Sequence, residues 1–227
     1  GGEGIHILMP PTSSPSMQAF IARTKSGGFP KAQFHYWSPT HDDNALTGAR
    51  MAFGRPVSTT YDYSQVDVVV SLDCDFLSSE GNNLANARNW AKTRREPVQG
   101  KKLSRLYVVE SCYSDTGTLA DHRFRMRASE VPAVTFALAK ALGVGSGGEL
   151  GTELSKHDGG SYSKNGKNWV QAIAVDLQSA RGRCIVTAGP RQSAAVHAVC
   201  HAINAALGNV GKTVTYRAVA DGMQHDN

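Results

Sequence analysis

No two of the four cysteines in this 227-residue chain, Cys74, Cys112, Cys184 and Cys200, form a C-x-x-C pair. Iron–sulfur clusters and structural zinc draw their ligands from close-set cysteines, so neither is expected within this segment. Cys74, Cys112 and Cys184 fall in or just after strand patterns, and Cys200 falls in a helix pattern. All four read as small buried hydrophobes. The sequence also lacks any apolar run near the roughly 20 residues needed to cross a bilayer, so no direct membrane insertion is expected. It shows no signal peptide. The chain does not begin with Met, and Gly1-Gly2-Glu3-Gly4 leads straight into a strand pattern, as in a segment of a longer protein whose targeting residues are lost.

Charge excludes a further class. The formal net charge is +5, with Arg94, Arg95, Lys101, Lys102 and Arg105 around one helix-to-strand connection. A nucleic-acid module interleaves such a patch with aromatic residues; none do so here, and the cluster reads as a solvated surface that faces a partner.

Several familiar motifs are absent in substance. Gly143-Val144-Gly145-Ser146-Gly147-Gly148 spells G-x-G-x-x-G, but it follows a helix pattern and enters a glycine-rich loop. The dinucleotide fingerprint must follow a strand and open a helix. Gly211-Lys212-Thr213 resembles the end of a P-loop, yet Ala206 stands where the earlier glycine belongs. There is no G-x-S-x-G elbow. His197 and His201 share a helical face without a third ligand in view, so they read as helix-contact histidines. Asp73-x-Asp75 is too sparse for a metal site, since aspartate at a strand end commonly caps the following turn.

What the chain does contain is a repeated alternation of strand and helix patterns. Strands are expected at 5–9, 33–37, 66–72, 105–109, 122–127, 184–188 and 213–216, with residues between 54 and 66 as loop. Helices are expected at 16–24, 44–53, 83–95, 130–142, 169–180 and 193–207, the second capped from His41-Asp42-Asp43-Asn44. Val66-Asp67-Val68-Val69-Val70-Ser71-Leu72 and Leu106-Tyr107-Val108-Val109 barely alternate, as strands covered on both faces do. The 41% hydrophobic content supports one large domain or two small ones. The expected architecture is doubly wound α/β, a mostly parallel sheet with helices on both faces. Its parts are a Rossmann-like region over 1–142, a flexible Gly/Ser/Lys-rich connection over 143–166, and a continuation or second α/β lobe over 167–227. Arg123, Arg125 and Arg127 would guard an exposed edge strand.

Ligands in such sheets sit beyond the carboxyl ends of the strands. There the two apolar runs stop at Asp73-Cys74-Asp75 and at Glu110-Ser111-Cys112, with Thr116 and Asp121 following, and a later strand pattern stops at Gly189-Pro190-Arg191-Gln192. Asp73, Asp75, Glu110, Ser111, Thr116, Asp121, Gly189 and Gln192 are therefore the candidate cofactor-binding residues; no catalytic or metal-ligating residue is assigned.

Residues 67–77 (DVVVSLDCDFL) and 105–122 (RLYVVESCYSDTGTLADH), with 188–197 (AGPRQSAAVH) and 204–211 (NAALGNVG), resemble the molybdopterin oxidoreductase superfamily. The likeness is closest to the family of large molybdopterin-oxidoreductase-like subunits of alternative complex III, a bacterial quinol:electron acceptor oxidoreductase. It implies a formate dehydrogenase/DMSO reductase-like fold and a place at the periplasmic face of the inner membrane. It further implies other respiratory subunits as partners, with iron–sulfur clusters only in a part of the parent chain outside these residues. In active relatives the resemblance implies Gly-x-Asn at the first turn and Asp-Pro-Arg at the second. Asp73 and Asp75 at the first turn would repel pyrophosphate by a few kcal/mol at intermediate dielectric. The second turn, Glu110-Ser111-Cys112, keeps an acid and loses the arginine. The expectation is a scaffold domain with no cofactor of its own. The alternative is the cofactor domain of an active bis-pterin molybdenum oxidoreductase, with Glu110, Thr116, Asp121 and the 189–192 turn holding molybdopterin guanine dinucleotide.

Overall fold

The computed structural model describes residues 1–39, 43–95, 103–145, 162–164 and 167–219. Lys101, Lys102, His41 and Asp42 lie outside these residues, as does most of the 143–166 connection. The chain divides into two compact units, one built around residues 1–43 and the other comprising residues 44–217.

The first unit holds β1 (His6–Met9), α1 (Pro15–Gly27) and β2 (Gln33–Tyr36). Ser14 caps α1 by accepting from the Met17 N–H, and Pro15 takes the first turn, where a missing N–H costs nothing. The two strands pair in parallel, with His6 opposite Gln33 and Leu8 opposite His35.

The second unit opens with α2 (Asp43–Phe53) and β3 (Val57–Tyr61). β3 lies where a loop was expected. Its Val-Ser-Thr-Thr-Tyr sequence is rich in β-branched residues, and its neighbour is the distant last strand, so the signal is in composition and the pairing is tertiary. The unit continues through β4 (Val68–Leu72), α3 (Asn83–Arg95), β5 (Arg105–Glu110), the single turn α4 (Asp115–Thr118), β6 (His122–Arg125) and α5 (Val131–Ala141). Then come the short antiparallel pair β7 (Ser163–Lys164) and β8 (Lys167–Asn168), α6 (Trp169–Ser179), β9 (Cys184–Ala188), α7 (Ala194–Ala206) and β10 (Val214–Ala218).

Four strands form a parallel sheet in the order β6-β5-β4-β9. Side chains alternate between its faces. Val68, Val70, Leu72, Tyr107, Val109, Cys184 and Val186 pack with Val134 and Leu138 of α5, Ile173 and Leu177 of α6 and Val199 and Ile203 of α7. Val69, Leu106, Val108 and Ile185 pack on the other side with Tyr63, Phe76, Trp90 of α3 and Val214 of β10. Both faces are thus covered, which is why β4 has five consecutive buried residues. β6 is an edge strand, as its arginines imply.

The other edge strand, β9, is protected by a side chain. Asn204 of α7 accepts from the Val186 N–H at 3.1 Å and donates to the Val186 carbonyl at 2.7 Å, mimicking a neighbouring strand. Asn209, in the turn after α7, donates to Asn204 at 3.0 Å.

Candidate functional site at the carboxyl edge of the sheet

β4, β5 and β9 end level. Leu72 pairs with Val109 on one side and with Ala188 on the other, so Asp73, Glu110 and Gly189 emerge side by side. The chain passes from β4 to β5 on one flank and supplies β9 on the other; this reversal of strand order is where an open α/β sheet forms a crevice.

In this protein the crevice is filled by the chain itself. Asp73 has a left-handed backbone, φ 56°, the only non-glycine residue so placed among those described. Its N–H bonds the Val109 carbonyl at 2.7 Å. Its carboxylate accepts from Gln192 Nε2 at 3.0 Å and more weakly from the Ser111 N–H at 3.4 Å. Gly189 lies against the same turn: a Cβ there would stand 1.9 Å from the Asp73 carbonyl oxygen, so only glycine fits.

Asp75 is held just as fully. It accepts from the Thr116 N–H at 3.0 Å and hydroxyl at 2.7 Å, and from the Ser79 hydroxyl at 2.9 Å. Partial burial pushes its pKa up, but these bonds outweigh it and keep the carboxyl below the usual range. Glu80 accepts from the Asp75 N–H at 3.0 Å, and burial raises its pKa.

Glu110, 3% exposed, accepts from Ser114 Oγ at 2.5 Å and pairs with Arg123 Nε at 2.5 Å. Gly117 makes room for it: a Cβ at that position would lie 1.9 Å from Glu110 Oε1. Arg123 also lies over the Tyr113 ring, 4.4 Å from its centroid.

Seven of the eight candidate residues therefore meet at one edge: Asp73, Asp75, Glu110, Ser111, Thr116, Gly189 and Gln192. Asp121 does not. It precedes β6, whose register sets His122 beside Tyr107 near the start of β5, and so lies at the opposite edge. There it takes a two-pronged pair from Arg94, both bonds 2.9 Å, and accepts from the Leu106 N–H. Burial raises its pKa, and the Arg94 and Leu106 bonds more than reverse that. The spacing in sequence misleads because α4 and its flanking turns carry the chain back along the sheet.

Two arginines of the basic cluster are paired: Arg94 joins Asp121 and Arg105 joins Asp176, and outside the cluster Arg183 joins Asp67. Each of these pairs weakens the local field a polyanion would feel.

Cys112 is exposed, contrary to its expected burial, whereas Cys74, Cys184 and Cys200 are buried as expected. It stands two residues beyond the end of β5, in the turn that leads to α4. His197 and His201 are buried on α7; His201 Nδ1 lies 3.1 Å from the Tyr216 hydroxyl, and the Phe53 ring packs on both His201 and Tyr216.

Glu80, Ser79, Ser114 and Arg123 belong to the edge cluster and were not foreseen as part of it. Arg123 carried a signal, since arginines at alternate positions share one face of the strand, here the face on which Glu110 of the neighbouring strand lies. The other three are polar loop residues with no such pattern.

No known protein-family profile matches this sequence, and no curated protein is significantly similar to it.

Proposed function

We propose that this chain is a molybdopterin-oxidoreductase-like scaffold domain of a bacterial respiratory quinol:electron acceptor oxidoreductase complex, working without molybdenum. Its role would be to dock neighbouring subunits at the periplasmic face of the membrane, while electrons pass through iron–sulfur clusters carried elsewhere in the parent protein. The parallel sheet and the gathering of the 73–75, 110–116 and 189–192 turns at its carboxyl edge agree with the doubly wound, DMSO reductase-like arrangement that the sequence resembles.

The observation that carries the scaffold reading is the closure of the crevice by Asp73 and Gln192. A guanine-dinucleotide pterin needs glycine-rich backbone and free donors facing its pyrophosphate. The residues here do not fit it. Asp73, Asp75 and Glu110 present acceptors that are already bonded within the chain, and Gly189 packs directly on the Asp73 carbonyl. The left-handed φ of Asp73 suits the glycine that active relatives carry at that turn, while its carboxylate opposes their ligand.

The test is the molybdenum and pterin content of the full-length protein purified from its native host. Iron without molybdenum supports the scaffold. Near-stoichiometric molybdenum with a guanine-dinucleotide pterin overturns it in favour of an active bis-pterin enzyme. Replacing Asp73 with Gly and Asp75 with Asn probes docking separately: lost complex assembly with retained fold supports a docking role for this turn, and unchanged assembly argues against one.

A further inference from the structure

The first unit carries a feature unrelated to the crevice. In the parallel pair β1–β2, residues 6, 8, 33 and 35 share one face by strand alternation, and Phe34 lies on the other, where Lys25 of α1 sits 5.6 Å from its ring centroid. On the shared face His6 Nδ1 stands 3.0 Å from His35 Nε2, with the two rings within 10° of parallel and their centroids 5.3 Å apart. His6 is exposed and His35 half-buried.

We propose that His6 and His35 form a chelating site for a divalent transition-metal ion of the copper, nickel or zinc class. Imidazole nitrogens bind such ions at about 2.0–2.1 Å, and two of them on adjacent coordination positions stand about 2.9–3.3 Å apart. The observed separation falls in that range. Strand register fixes it, so binding requires little reordering of backbone. Between the two rings one N–H now faces one lone pair; moving that proton to the far nitrogen of its own ring leaves two lone pairs facing each other, and a turn of both rings about their side-chain torsions aims them at a shared ion, with no net proton release. Among the described residues no three His, Cys, Asp or Glu side chains converge, so the site has two imidazole ligands. Imidazole pairs of this kind favour copper over nickel and zinc, and they select against magnesium and calcium, which want oxygen.

Titration of the full chain with Cu2+ alone, followed by paramagnetic resonance, tests this. The expected spectrum of the first equivalent shows splitting from two nitrogens. His6→Gln and His35→Gln should each weaken that binding by roughly tenfold or more, because the second ligand acts at high effective concentration. A first-equivalent spectrum with a single nitrogen overturns the proposal, as does undiminished affinity in the double variant. The spectrum of the unsubstituted chain decides the matter even if a variant fails to fold.

Discussion

Asp73 and Gln192, 119 residues apart in the chain, meet through a 3.0 Å hydrogen bond that closes the crevice where the strand order of the sheet reverses. The bond joins the turn after β4 to the turn after β9, and both partners are buried. Gln192→Ala leaves a buried carboxylate short of a donor and should cost about 1.5–3 kcal/mol in urea unfolding. Gly189→Ala forces a Cβ into the Asp73 backbone and should cost at least as much. If both variants unfold like the unsubstituted chain, the two turns do not hold each other.

The Glu110–Arg123 pair links β5 to the edge strand β6. Arg123→Ala strands a buried carboxylate, and a loss of about 3–5 kcal/mol is expected. Replacing both residues with apolar groups should cost much less than the sum of the single changes. Additive losses in a double-mutant cycle would show that the two side chains act independently.

Asn204 should be irreplaceable where it borders β9. Asn204→Leu keeps the volume but removes both bonds to Val186 and the one to Asn209, each partner being buried. A loss of about 3 kcal/mol or more is expected from thermal melts, since stranded backbone groups cost about 1–3 kcal/mol apiece. A shift of less than about 1 kcal/mol would mean that another group shields the strand.

His201 sets part of the acid limb of stability. Burial, and then the neighbouring His197, lower its pKa from 6.5 to about 4. The unfolded chain therefore takes up a proton first as pH falls, so stability that is full above the unfolded value drains away between about 6.5 and 4, by on the order of 3 kcal/mol. His201→Gln should flatten the stability–pH curve in that window. Asp75 and Asp121, both held below the usual carboxylate range by their hydrogen bonds, lose their contribution only at lower pH. An unchanged slope in the His201 variant would count against the buried neutral ring.

The sequence by itself determined the parallel sheet and where its crevice would fall. Runs such as Val68–Leu72 have no polar alternation because both faces are covered, and that shows in the residues themselves. The polar clusters that end each run marked the site for the same reason: an apolar strand stops where its cover stops. Only the tertiary structure decided which polar residues would meet. Asp121 went to the far edge because the turn at α4 reversed the chain, and β3 became a strand because β10 lay beside it. The pairing of Arg94, Arg105 and Arg183 with acids distant in sequence was equally hidden, since Asp121, Asp176 and Asp67 come from other parts of the chain. Hydrophobic pattern is a local property of the chain, whereas the partners of a buried charge are fixed by strand order and register.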